Sequence, residues 1–225
     1  MRRLASAFAV AVVITAFGGS VAVAGDHGRP GGAFPAQSSP FGQSYTQWAE
    51  DWLQWALGTP APENPFLNPD NCGPGASPRA WFLAGSFDGA VSASCTAPPG
   101  RGFLISPAGN FCSGATNGVT TTEELTDCAF QGFTDITDVS VTVDGRPVRN
   151  IDSFFLVSPR FDFQIPDDNI FGVPAQTTPA VVLGHFVMIR PLPVGEHTIV
   201  GFVKSSIFPS GFAEITYHVT VTPRG

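Results

Sequence analysis

The sequence predicts a mainly β fold, an antiparallel β-sandwich preceded by one N-terminal amphipathic helix. Three observations carry this reading. From residue 138 onward apolar residues recur at every second position: Val139, Val141 and Val143; Phe161, Phe163 and Ile165; Ile215, Tyr217, Val219 and Val221. That period of two is the mark of a half-buried strand. The chain carries 25 Gly and 21 Pro in 225 residues, which supplies turns at short intervals. Only 13% of its residues are charged, against roughly 25% in ordinary globular chains, too few to coat a helical bundle or a coiled coil. The 20 Phe and 4 Trp can fill a core, so a disordered acidic segment is also disfavoured. A net charge of −7 argues against neutralising nucleic-acid phosphates.

Residues 1–24 read as a secretory signal peptide. Arg2 and Arg3 form the positive start, an apolar run covers 4–17, and Ala22-Val23-Ala24 is a small-x-small cleavage pattern. The run is short for a membrane span of about 20 residues, and no second long apolar run follows, so no span is expected after cleavage. Cleavage after Ala24 leaves residues 25–225 and removes two Arg, taking the formal charge from −7 to −9. Secretion, or residence in the cell envelope, is the location this implies. The abundance of Ala, Gly, Val and Pro beside a single Lys hints at a GC-rich bacterial source.

Residues 25–43 are rich in Gly, Pro and Ser without periodicity and read as a flexible N-terminal arm. Residues 44–225 read as a single sandwich domain. It opens with a helix over 44–57, where Ser44 and Gln47 are spaced as a capping box and Gly58 and Pro60 stop the turn. Tyr45, Trp48, Trp52, Leu53 and Trp55 fall on one face of that helix. Residues 60–130 form a loop-rich region around the cysteines. Within it, 80–84 and 103–106 are short apolar strand candidates, and 121–130 has the capping pattern of a second short helix, with Thr121 and Glu124 in place. Asp144-Gly145 closes a hairpin after the Val139–Val143 alternation. Further strands are expected over 154–157, 161–165, 181–190, 197–203 and 215–222.

Cys72, Cys95, Cys112 and Cys128 are the four cysteines, and no CxxC pair occurs. An even count behind a signal peptide implies two disulfides rather than a zinc or redox site. Three pairings exist; Cys72–Cys95 with Cys112–Cys128 is preferred because each closes a short loop.

Asn68-Pro-Asp70, Trp81-Phe-Leu-Ala-Gly85, Asn110-Phe-Cys112, Val143-Asp-Gly145, Pro166-Asp-Asp-Asn-Ile-Phe171 and Pro191-Leu-Pro-Val-Gly-Glu-His-Thr-Ile199 occur in that order. As a set they resemble a family of uncharacterised secreted bacterial proteins, over most of the chain after residue 48. The resemblance implies export and carries no catalytic residues with it. Many members carry an aromatic where His185 stands, and paired Gly where this chain reads Gly201-Phe-Val-Lys204. The segment 191–222 also resembles the last hairpin of bacterial immunoglobulin-like domains. That resemblance implies an immunoglobulin-like or jelly-roll-like sandwich, a fold that hosts many functions.

Three constellations bear on chemistry. Trp48, Trp52 and Trp55 would make a platform for a sugar ring if exposed, although docking of that face onto a sheet is the preferred reading, since each ring can bury 150–250 Å². His185, His197 and His218 lie on strand candidates and would make a three-His metal site if those strands brought them together. Asp167, Asp168 and Asn169 cluster oxygens as calcium does, but without the alternating loop pattern, so a solvated turn is preferred. No G-x-S-x-G, HExxH or phosphate-loop motif occurs. The expected function is therefore a secreted or cell-surface, non-enzymatic binding or structural module without a cofactor, its partner a glycan or an extracellular protein. The alternative is a secreted hydrolase or metal-dependent enzyme using His197, His185 and Asp168.

Overall fold

A computed structural model describes residues 32–74 and 77–223. The expected signal peptide and the first residues of the arm lie outside them. The fold is mainly β, in two five-stranded sheets. Helix α1 (Tyr45–Gly58) lies on one face of the first sheet, and α3 (Thr122–Gln131) together with the second sheet lies on the other.

Helix α1 starts where its sequence says it should. The Ser44 hydroxyl accepts from the Gln47 amide, and the Gln47 side chain accepts from the Ser44 amide. The same reciprocal pair, Thr121 with Glu124, starts α3. Both devices satisfy amides that the first helical turn leaves without partners.

The first sheet runs β1 (Ala80–Leu83), β3 (Gly102–Ser113), β8 (Gln176–Ile189) and then β6 (Phe155–Val157), with β7 (Phe161–Ile165) also on β8. Registers Phe155↔His185 and Phe161↔Ala180 make β6 and β7 two stretches of one interrupted edge along β8. Because both faces of this sheet are covered, β3 and β8 are almost continuously buried rather than alternating. The second sheet runs β2 (Gly89–Ala97), β10 (Phe212–Val221), β9 (Gly195–Ser205), β4 (Ile136–Val143) and β5 (Arg146–Pro147). Here the period of two survives: Val139, Val141, Val143, Ile199, Val203, Ile215, Tyr217 and Val219 are buried between the sheets while their neighbours are not. The Asp144-Gly145 hairpin joins β4 to β5 with both residues at positive φ (50° and 71°), as that turn requires. The Ala84 amide donates to the Tyr217 hydroxyl at 3.1 Å and ties the end of β1 to the middle of the second sheet.

Most pairs are antiparallel, as expected, but each sheet also has one parallel edge pair, β1 with β3 and β2 with β10. The cause is connectivity. The chain leaves β1, crosses to the second sheet as β2, and returns as β3 beside β1 in the same direction. The third α-helix among the described residues, α2 (Gly114–Asn117), is a single turn after β3.

The disulfides are Cys72–Cys95 and Cys112–Cys128, the preferred pairing. The first ties the loop before β1 to β2; the second ties β3 to α3.

The arm reading needs correction over 32–43. Ala33 pairs with Ile189 beyond the reach of β6, the Phe34 amide donates to the Met188 carbonyl at 2.8 Å, and Arg190 stacks over the Phe34 ring at 4.3 Å. Phe41 then packs edge-on to Trp48. Two Phe in a Gly/Pro-rich stretch have enough apolar surface to hold it down.

Candidate functional site

The tryptophan face is core. Trp48 is 1% exposed and Trp52 6%, and both indoles spend their single N–H inside the protein, Trp48 on the Pro40 carbonyl at 3.0 Å and Trp52 on the Leu83 carbonyl at 2.8 Å. Trp55 is half-buried against Phe82 and Trp52. The sugar platform of Trp48, Trp52 and Trp55 is therefore corrected: stacking needs an open ring face, and two of the three rings are buried.

The three strand histidines do not meet. His185 lies on β8, buried between Phe133 and Phe155, with no hydrogen-bond partner for its Nδ1. Burial holds its pKa below the ordinary imidazole value, and Asp152 opposes that weakly. His218 is exposed on β10 of the other sheet. His197 is engaged on both nitrogens, Nδ1 with the Asp144 carboxylate at 2.9 Å and Nε2 with the Pro193 carbonyl at 3.0 Å. A ring held on both sides has no nitrogen left for a metal or a substrate proton, so this pair staples the β4–β5 turn to the start of β9. Partial burial pushes the Asp144 carboxyl up, but the His197 ring, the Thr198 amide and Arg146 outweigh it and hold the carboxyl below its ordinary value.

Asp167 and Asp168 are exposed on a loop between β7 and β8. The loop that holds them is organised by Asn169, 6% exposed, which donates to the Pro166 and Val173 carbonyls and accepts from the Phe171 and Val173 amides. Among the described residues, no three His, Cys, Asp or Glu side chains come together as a metal site.

The structure offers a site that the sequence did not reveal. β1 stops at Leu83 while β3 continues to Ser113, so beyond Ile105 no described strand covers that edge of β3. A bulge between Ile105 and Ala108 re-aims β3 at this point. A cavity of about 250 Å³ opens here and wraps around the uncovered edge. Trp52, Leu53, Leu57 and Phe186 wall it on the α1 side, and Phe133, Val203 and Phe208 on the side of the second sheet. Its rim carries Phe87, Phe171 and Ile207, which are 58%, 37% and 50% exposed.

No Asp, Glu, Lys, Arg or His lines the cavity. Its polar side chains are few, and most are committed. The Trp52 indole holds Leu83, Ser86 Oγ turns back onto the Asp88 carbonyl, and Asn110 Nδ2 donates to the Ala129 carbonyl at 2.7 Å. Ser106 differs from them: it is 5% exposed, lines the cavity, and its hydroxyl has no protein partner. Gly109 gives that hydroxyl its room, because a Cβ there would stand 2.9 Å from Ser106 Oγ. One signal in the sequence did mark the place: Pro107, a residue that inside a strand marks an edge or a bulge.

Searched against known protein families, curated proteins and solved structures, the chain matches none.

Proposed function

We propose that this chain is an exported, non-enzymatic binding module that holds a small apolar ligand in the cavity at the uncovered edge of β3. The observation that carries the reading is the cavity itself: about 250 Å³ walled by aromatic and aliphatic side chains, with an apolar rim open to solvent. An apolar cavity of only about 150 Å³ already takes up benzene. Export is supported by the signal-like residues 1–24, the resemblance to secreted bacterial proteins and the two disulfides. The ligand class differs from the glycan expected at first, because the tryptophans that would have stacked on a sugar are core.

The test is titration of chain 25–225 with the environment-sensitive fluorophore N-phenyl-1-naphthylamine. Saturable binding is expected, and Val203→Phe, which fills the cavity from β9, should weaken it at least tenfold while leaving the circular dichroism spectrum unchanged. Absence of saturable binding, or equal binding by the two proteins, overturns the proposal.

A further inference from the structure

We infer that the cavity takes an extended apolar peptide segment, which pairs with the free edge of β3 as an added strand. This rests on the cavity being a ligand site, as proposed above. Hydrogen bonds on the far side of β8 decide which groups of β3 face that edge. Ser158, the residue after β6, donates its amide to the Val182 carbonyl at 2.8 Å, and its hydroxyl accepts from the Val182 amide at 3.0 Å. Val182 therefore turns both backbone groups away from β3. Successive residues of a strand serve opposite edges. Val181, Leu183 and His185 thus face β3, where their register partners are Cys112, Asn110 and Ala108. Gly109 and Phe111, lying between those, aim their amides and carbonyls at the uncovered edge. Ser113 aims the same way, and its amide donates to Asn117 Oδ1 at 3.1 Å. Among the described residues, no such partner reaches the backbone groups of Gly109 or Phe111.

Each of these two residues offers one donor and one acceptor, and the two sets stand about 6.8 Å apart, the two-residue repeat of a strand. An extended backbone matches that repeat and can pair with it by strand addition. Gly109 is exposed and carries no side chain, so another backbone can come close. Both residues line the cavity. Side chains of the added strand alternate between its two faces. One set would meet Trp52 and Phe186 on the α1 side, the other Phe133 and Val203 on the side of the second sheet. Apolar residues at successive positions are therefore expected, as in β3 and β8, which are also covered on both faces. A small hydrocarbon would occupy the same space and leave the Gly109 and Phe111 backbone groups unpaired.

The probe is acetyl-Lys-Val-Leu-Val-Leu-Lys-amide, whose lysines flank the apolar stretch and keep it soluble. It should displace N-phenyl-1-naphthylamine from chain 25–225. Amide hydrogen exchange of the isotope-labelled protein, read by nuclear magnetic resonance, should slow by about tenfold or more at Gly109 and Phe111 when the peptide is bound. Ala108, Asn110 and Cys112, already paired with β8, should change by less than about threefold. Two N-methylated peptides keep the side chains and remove donors. Methylation of the Val amides alone leaves one pairing edge, and affinity should stay within about threefold of the parent peptide; methylation of all four Val and Leu amides leaves none and should weaken binding by about tenfold or more. Protection without that alternation, equal affinity of all three peptides, or no displacement of a fluorophore that itself binds overturns this inference while the apolar site stands. Protection of Gly109 and Phe111 in the peptide-free protein that fades on dilution assigns the edge to a second copy of this chain, and overturns it as well. Failure of the fluorophore and the peptides alike removes the site, and this inference with it.

Discussion

Replacing Trp48 is the sharpest test of whether the α1 face is core. The ring is 1% exposed and packs edge-on to Phe41 and Phe82, with centroids 6.4 and 6.1 Å away. Truncation of such a side chain costs about 3–5 kcal/mol in lost transfer energy and residual cavity. The Pro40 carbonyl, which accepts the indole N–H at 3.0 Å and sits in a buried residue, would lose that hydrogen bond and keep only the Gln43 amide. That adds about 1 kcal/mol, giving about 4–6 kcal/mol for Trp48→Ala. For a domain of this length the loss corresponds to a fall in Tm of roughly 8–24 °C. Trp48→Phe keeps the ring contacts and loses only bulk and the N–H, so about 1–2 kcal/mol is expected. Trp55→Ala should cost about 1–2 kcal/mol, because that ring is already half in water. Denaturant unfolding of chain 25–225 followed by far-ultraviolet circular dichroism reads all three. The reasoning fails if Trp48→Ala and Trp55→Ala lower stability by the same small amount.

Two more predictions concern the opposite face of the first sheet. Cys112→Ser with Cys128→Ser opens a bridge of sequence separation 16, which should cost about 3 kcal/mol and free α3 from β3, and hydrogen exchange should localise the loss to α3. Unchanged α3 protection would show that the Leu125 and Ala129 packing holds the helix alone. His185, kept below its ordinary pKa chiefly by burial, should make stability depend on pH. The unfolded chain takes up a proton near pH 6.5 and the folded one only at lower pH, so this contribution is intact above about pH 6.5 and is lost as pH falls through the folded value. His185→Phe should flatten that fall, and parallel stability curves for the two proteins from pH 7 to 5 would refute the assignment.

The parts of this fold that were legible in the sequence are those set by local chemistry. Both capping boxes, the Asp144-Gly145 hairpin and the alternating strands of the second sheet depend on neighbours within a few residues, and the structure repeats them. Strand β2 escaped notice for a physical reason: it alternates, but its inward residues Ala93, Cys95 and Ala97 are too small to stand out as an apolar stripe. The docking of residues 32–43 depends on what Met188, Ile189 and Arg190 offer from far along the chain, which no local pattern encodes. The cavity was hidden for a related reason. It arises from a difference in length between β1 and β3, and its walls come from segments spread between Trp52 and Phe208. The histidines were visible as residue types, but only topology decides that His185 and His218 belong to different sheets.

Strand β2 has one strand partner, and that partner is β10, the last strand described. A chain that emerges from its N-terminus can assemble α1 and pair β1 with β3 early. It cannot seat β2, or complete the second sheet, until residues 212–221 have arrived. Loop-closure entropy is then spent over more than 100 residues before this pairing is rewarded, the circumstance that makes folding slow. Under the export proposed above, that delay would keep the second sheet open while β10 is still on the other side of the membrane.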